Sequence, residues 1–230
     1  MPTAKARVGP HGVGAKGVQD IKPQATSEHI RVAIIEDDDS VRQALSFQLR
    51  TAGFDIAAYT SAEELLEASD AREFDCVVAD IYLPRMNGLQ LQEELNRTIP
   101  CASIVFITGH GDLSLGMQAM RKGAVDFLEK PVDDRALLSS IARGAELSRR
   151  RRAERSRLIE LEGRHRSLTL REREVFALIT SGLLNKQVAS ELGTTERTVK
   201  AHRASVMIKM GAGSIADLVR MAGVLQLHSS

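Results

Sequence analysis

The sequence predicts an α/β protein: a five-stranded, doubly wound parallel sheet followed by a separate all-α body of four helices. Three observations lead there. From Ile30 short apolar runs alternate with amphipathic segments, as in β-α units that bury a parallel sheet on both faces. Those runs end in carboxylates, a hydroxyl or a lysine, which gathers polar chemistry at one sheet edge. From Thr169 the apolar period turns helical, and capping residues and glycines divide it into short helices.

Residues 1–29, rich in Gly, Pro, Lys and small polar residues without a period, read as a disordered leader. Arg31-Val32-Ala33-Ile34-Ile35 is a buried strand running into Glu36-Asp37-Asp38-Asp39. Ser40 precedes a helix with apolar Val41, Ala44, Leu45 and Leu49, stopped by Gly53. Phe54 to Tyr59 is a second strand, and Ser61-Ala62-Glu63-Glu64 is a capping box opening a helix with Leu65 and Leu66 inward. Cys76 to Asp80 is the third strand; Pro84 ends regular structure and Asn87-Gly88 turns the chain. A helix from Gly88 to Asn96 carries Leu91 and Leu95 on one side. Ser103 to Thr108 is a fourth strand, followed by the turn Gly109-His110-Gly111. Asp112 caps a helix bearing Leu113, Met117 and Met120, closed by Gly123. Val125 to Pro131 is a fifth strand, and a last helix starts near Asp134. With each crossover right-handed and the strands in flavodoxin-like order, Glu36 and Asp37 come beside Asp80, and Thr108 and Lys130 close the ring.

Residues 30–147 therefore form one domain, 148–166 an Arg-rich helical linker, and 167–228 a second domain. The linker continues the fifth helix with a solvated face; Leu147, Leu158 and Leu161 do not sustain a heptad. In the second domain Thr169-Leu170-Arg171-Glu172 is a capping box, with Val175, Leu178 and Ile179 inward. Asn185 to Leu192 is a second helix. Thr195 caps a third, running to Met210 with Val199, Val206 and Met210 buried and Gly211 as its stop. Ser214 opens the fourth.

The net charge of +1 hides an asymmetry. Residues 30–144 carry 11 basic and 19 acidic side chains, a net −8, whereas 145–168 are +4 and 169–230 are +3. The first body suits a cation and the second a polyanion. Two cysteines, 76 and 101, show no metal or disulfide spacing and read as buried free thiols of a reducing compartment. No run of 18 apolar residues and no secretory h-region occurs, which argues against a membrane span and for a cytoplasmic protein.

Crowded carboxylates repel, and a hard divalent cation relieves that repulsion. Mg²⁺ takes few protein oxygens and keeps waters. Asp37 and Asp80 are its expected direct ligands, with a backbone carbonyl at Tyr82 and Glu36 through water. Asp can also form an aspartyl phosphate, so Asp80 is the candidate acceptor, with Lys130 and the Thr108 hydroxyl on the phosphoryl oxygens. Residues 30–147 resemble a response-regulator receiver domain. The stretches that carry the resemblance are Ile35-Glu36-Asp37-Asp38, Asp80 with Pro84 and Gly88, Thr108 to Asp112, and Phe127-Leu128-Glu129-Lys130-Pro131. The resemblance implies phosphoryl transfer from a sensor histidine kinase to Asp80 with Mg²⁺ bound, a cis peptide before Pro131, and Thr108 and Phe127 as switch residues. Glu36 stands where Asp is usual, and Phe127 where Tyr is usual, so the role of Phe127 is steric.

On the helix from Thr195, Arg197, Lys200, Ala201, Arg203 and Ala204 face outward near its start. Lys200 and Arg203 suit guanine edges or phosphates, and Asn185, Lys186, Thr198 and Lys209 suit phosphates. The lack of stacking aromatics favours duplex DNA over RNA. Residues 167–228 resemble the LuxR-type helix-turn-helix through Leu168 to Val175, Asn185 to Ala189 and Glu196 to Arg203. Both halves together resemble the NarL/FixJ family, in particular its FixJ-like regulators. By that resemblance Lys200, Ala201 and Ala204 point to bases and the last helix, Ser214 to Gly223, dimerises on DNA.

The expected function is a two-component response regulator: phosphorylation at Asp80 switches homodimerisation and sequence-specific DNA binding, with RNA polymerase a further candidate partner. It is not an enzyme beyond catalysing its own phosphoryl acceptance and loss. An aspartyl phosphatase would need a second Asp two residues after the nucleophile, where Tyr82 stands. The remaining alternative is a constitutive or ligand-gated DNA binder with an unphosphorylated receiver.

Overall fold

The computed structural model describes residues 30–69, 71–109 and 113–227. The expected leader, and the expected turn and cap at His110, Gly111 and Asp112, lie outside them. Among the described residues, strands β1 (Arg31–Ile35), β2 (Asp55–Tyr59), β3 (Cys76–Asp80), β4 (Ser103–Thr108) and β5 (Asp126–Glu129) form an all-parallel sheet in the order β2-β1-β3-β4-β5.

Side chains alternate across this sheet with period two and feed two cores. Ala33, Ile35, Val77, Ala79, Ile104 and Phe106 face one side, covered by helices α2 (Ala62–Glu67), α3 (Gly88–Thr98) and α4 (Leu113–Arg121). Val32, Ile34, Cys76, Val78, Val105 and Ile107 face the other, covered by α1 (Asp39–Thr51) and α5 (Asp134–Arg166). Burial on both faces explains why the strands read as continuous apolar runs.

Some expected details shift. The N-cap of α1 is Asp38, whose carboxylate accepts from the Ser40 and Val41 amides, so the helix begins one residue before Ser40; Ala44 is exposed. Ser61 caps α2, but Glu64 reaches back to the amide and hydroxyl of Thr60 rather than to Ser61. Strand β5 ends at Glu129, short of the proline. Cys76 is buried, whereas Cys101 is half-buried. Helix α3 begins at a glycine for lack of room: a Cβ on Gly88 would lie 2.7 Å from the Phe106 ring and 2.9 Å from the Ile81 Cα.

Helix α5 runs 33 residues without a break, so the Arg-rich stretch continues the fifth helix. Beyond it α6 (Leu170–Thr180), α7 (Asn185–Glu191), α8 (Glu196–Met210) and α9 (Ile215–Leu227) enclose a third core around Val175, Ile179, Val188, Val199, Val206, Met210 and Leu218. Leu161 from the end of α5 packs against it. Helix α8 has the expected bounds, with Thr195 accepting from the Thr198 amide and Gly211 in the left-handed region at φ 67°.

Candidate functional site

A parallel sheet brings every strand's carboxyl end to one edge. Here that edge carries Glu36 just after β1, Asp80 at the end of β3, Thr108 at the end of β4 and Lys130 just after β5. Glu36 is 2% exposed, Asp80 7%, and Thr108 fully buried. The Lys130 ammonium stands 2.7 Å from Glu36 Oε2 and 2.7 Å from Asp80 Oδ2. The second Asp80 oxygen accepts from the Tyr82 amide at 2.9 Å. Lys130 is placed by its own amide, which donates to the Thr108 carbonyl at 2.7 Å, and its peptide to Pro131 is cis. A cavity of about 430 Å³, lined by Asp80, Tyr82, Gly109 and Lys130, opens onto the Asp80 carboxylate.

Burial pushes the Glu36 carboxyl above its usual range, more than its bond to Lys130 pulls it down. For Lys130 burial acts downward, but the bonds it donates to Asp80 and Glu36 outweigh it and hold the ammonium above its usual value. The donor set suits a hard cation: two carboxylates already converge on one positive charge. The third expected ligand does not join them. Among the described residues no three His, Cys, Asp or Glu side chains group as a metal site. Asp37 is exposed, because the chain turns there into the Asp38 cap of α1, and its carbonyl accepts from Arg42. The fold brings the Glu36 and Asp80 carboxylates together on Lys130, whereas Asp37 is exposed.

Phe127 is half-buried, and its ring packs on Gly116 of α4, where an added Cβ would approach it to 3.1 Å. On the same helix Leu113, Met117 and Met120 are exposed.

In the second body Val199, Val206 and Met210 seat α8 in the core and leave Arg197, Lys200, Ala201 and Ala204 exposed on its outer side. Lys186 is exposed on α7, and the Thr198 hydroxyl lies 2.9 Å from that of Thr195. Arg203 and Asn185 are brought together: the guanidinium donates to Asn185 Oδ1 at 3.1 Å, tying α8 to the start of α7. The Lys209 ammonium is paired within the domain, 2.6 Å from Glu172 Oε2. Glu172 also accepts from the Ser205 hydroxyl at 2.6 Å and the Thr169 amide at 2.7 Å. The bonds from Lys209, then Ser205 and Thr169, hold its carboxyl down to about 2. The capping box marked Glu172 as a local cap; its hold on α8 has no signal in the periodicity.

A carboxylate–lysine cluster at the carboxyl edge of a doubly wound sheet, joined by one helix to a helix-turn-helix, defines a receiver coupled to a DNA-binding body. Residues 32–142 match the response regulator receiver domain family, and residues 166–222 match the luxR family of bacterial regulatory proteins. The chain is 42% identical over 199 residues to nodulation protein W of Bradyrhizobium diazoefficiens, covering 86% of this chain and 88% of that one. It is 41% identical over 199 residues to the transcriptional regulatory protein FixJ of Azorhizobium caulinodans, covering 85% and 92%. The structure of the response regulator StyR matches at TM-score 0.74 and 42% identity, over 84% of this chain and 98% of that one. Full-length FixJ of B. japonicum matches at TM-score 0.52 and 35% identity, over 86% and 97%.

The chain belongs to the NarL/FixJ family of response regulators: it is a two-component response regulator that controls transcription. Such regulators pair with histidine kinases and bind DNA through the helix-turn-helix. No helix among the described residues is long and apolar enough to cross a membrane.

Proposed function

We propose that Asp80 is the phosphoryl acceptor of this regulator. One Asp80 carboxylate oxygen attacks the phosphorus of a phosphohistidine on the sensor kinase; the O–P bond forms, the N–P bond breaks, and the imidazole nitrogen keeps the electron pair. The observation that carries this reading is the Lys130 ammonium shared by Asp80 and Glu36 beneath an open cavity. Lys130 neutralises charge on the incoming phosphoryl oxygens, and the Tyr82 amide holds the other Asp80 oxygen and orients the nucleophile. Mg²⁺, held by Asp37 and Asp80 with the Tyr82 carbonyl and by Glu36 through water, would supply further neutralisation of the phosphoryl charge.

The phosphoryl group adds roughly −1.5 to −2 charge. The Thr108 hydroxyl moves to bond it, and Phe127 rotates into the space released, reshaping the surface of α4 and β5. That surface pairs two receivers, and the paired DNA-binding bodies gain affinity for duplex DNA through Arg197, Lys200, Ala201, Arg203 and Ala204, with Asn185, Lys186 and Thr198 toward the backbone. RNA polymerase contact follows at the promoter, and the protein works in the cytoplasm, where its DNA is. The test is mass spectrometry after acetyl phosphate treatment with and without Mg²⁺. One phosphoryl group on the wild type and none on Asp80→Asn is expected; phosphorylation of the Asn variant overturns the assignment.

A further inference from the structure

The opposite edge of the receiver sheet holds a second polar cluster that the acceptor chemistry does not use. Asp75 immediately precedes β3, the strand that ends at Asp80, and is 5% exposed. One of its carboxylate oxygens accepts from the Arg31 amide at 3.0 Å and the other from Arg152 at 2.5 Å. The second Arg152 nitrogen donates to the Phe74 carbonyl at 2.5 Å. One turn earlier on α5, the fully buried Ser148 hydroxyl donates to the Asp75 carbonyl and lies 2.9 Å from the Ser103 hydroxyl. One turn earlier again, the Gly144 carbonyl accepts from Ser103 at 2.8 Å. Gly144 lets the helix approach: a Cβ there would stand 3.0 Å from Cys76 Sγ.

Residues 144, 148 and 152 share one face of α5 at a spacing of four, so these anchors span two helical turns, about 12 Å. Past Arg152 the helix leaves the receiver, and residues 153–157 are all exposed. It next meets apolar packing at Leu161, on the core of the DNA-binding body, where Arg164 also donates to the Met210 carbonyl at 3.0 Å. The direction in which α5 leaves the sheet is therefore set by its last fixed points, and the last of these, Arg152, is bonded to the residue that precedes β3.

We infer that Asp75, Ser148 and Arg152 form a latch that sets the orientation of the DNA-binding body relative to the receiver, with Asp75 and Arg152 as positioning residues. Strand β3 links the latch to the acceptor edge. The coupling part of this inference rests on Asp80 being the phosphoryl acceptor; the orientation part does not. A bidentate guanidinium suits the task, because it holds a carboxylate and a carbonyl in one plane, which an ammonium does not.

The test uses the full chain with spin labels at positions 43 and 190 in a Cys101→Ser background, read as an inter-label distance distribution. DNA affinity with and without acetyl phosphate is measured in parallel, and phosphoryl incorporation is followed by mass. Arg152→Gln is expected to broaden the distance distribution and to cut the phosphorylation-dependent gain in DNA affinity by about tenfold, with incorporation at Asp80 unchanged. Asp75→Asn combined with Arg152→Gln, which leaves no unpaired buried charge, is expected to do the same and covers a folding failure of the single variant. Distributions as narrow as the wild type in the double variant overturn the latch. If wild-type Asp80 takes no phosphoryl group, the acceptor reading falls, and the distances alone still decide the latch.

Discussion

The ammonium of Lys130 stands 2.7 Å from Glu36 and 2.7 Å from Asp80, so one lysine just past the last strand holds two buried carboxylates that would otherwise repel. Lys130→Ala leaves both facing each other with no cation between them. Breaking a fully buried pair costs roughly 3–5 kcal/mol, and partial solvent access at Lys130 brings the expected loss to about 2–3 kcal/mol. Urea denaturation of the receiver signal measures it. Because the folded-state pKa of Lys130 is raised, its stabilisation is fully present below its ordinary 10.5 and fades as pH climbs through the folded value. The wild type is therefore expected to lose stability on that alkaline limb, and the alanine variant to lack this loss.

Glu172 gives the opposite pH dependence. Its carboxyl is held at about 2 against an ordinary 4.5, so its contribution is fully present above 4.5 and is lost as pH falls toward 2. Glu172→Gln should flatten the acid limb of the helical signal from the DNA-binding body and lower its stability at neutral pH. An acid limb identical to that of the wild type would show that Lys209 and Ser205 do not act through this carboxylate.

The sheet was legible because burial on both faces writes strands as unbroken apolar runs: β1, β3 and β4 have the bounds their residues suggest. The gathering of Glu36, Asp80, Thr108 and Lys130 was legible because strand ends are local features, and a parallel sheet brings them to one edge. Partners far apart in the chain were not legible. Arg152 meets Asp75 across 77 residues and Lys209 meets Glu172 across 37, and neither leaves a mark on periodicity or spacing. The sequence shows four consecutive acids, but not that the second Asp, Asp38, turns away to cap α1.

The separation of Lys200 from Lys209 predicts different salt behaviour. Lys200 is exposed on the outer side of α8, whereas Lys209 is paired internally. Each phosphate contact removed lowers the slope of log K against log salt by about 1. Lys200→Ala is expected to weaken DNA binding and lower that slope by about 1. Lys209→Ala is expected to leave the slope unchanged while lowering the melting temperature. Binding isotherms across a salt series, with calorimetry beside them, separate the two, and a reduced slope for Lys209→Ala would return that residue to the DNA surface.

Gly116 tests whether the switch works through the Phe127 ring. The ring rests where a side chain on Gly116 would have to go, with the added Cβ at 3.1 Å from it and within 3.4 Å of two further ring carbons. Gly116→Ala therefore makes Phe127 shift in the unphosphorylated state. Inserting one methyl into a packed contact costs typically 1–3 kcal/mol. Here the cost falls toward about 1 kcal/mol, because alanine favours the α4 helix over glycine by a comparable amount. The functional effect is expected to be larger than the effect on stability. A ring already displaced has less of the switching motion left, so the ratio of DNA affinities with and without acetyl phosphate should fall while Asp80 still takes up one phosphoryl group. Phe127→Ala, which vacates the contact, should lower the same ratio without overpacking. An unchanged ratio in both variants would remove the Phe127 ring from the route between Asp80 and the surface of α4.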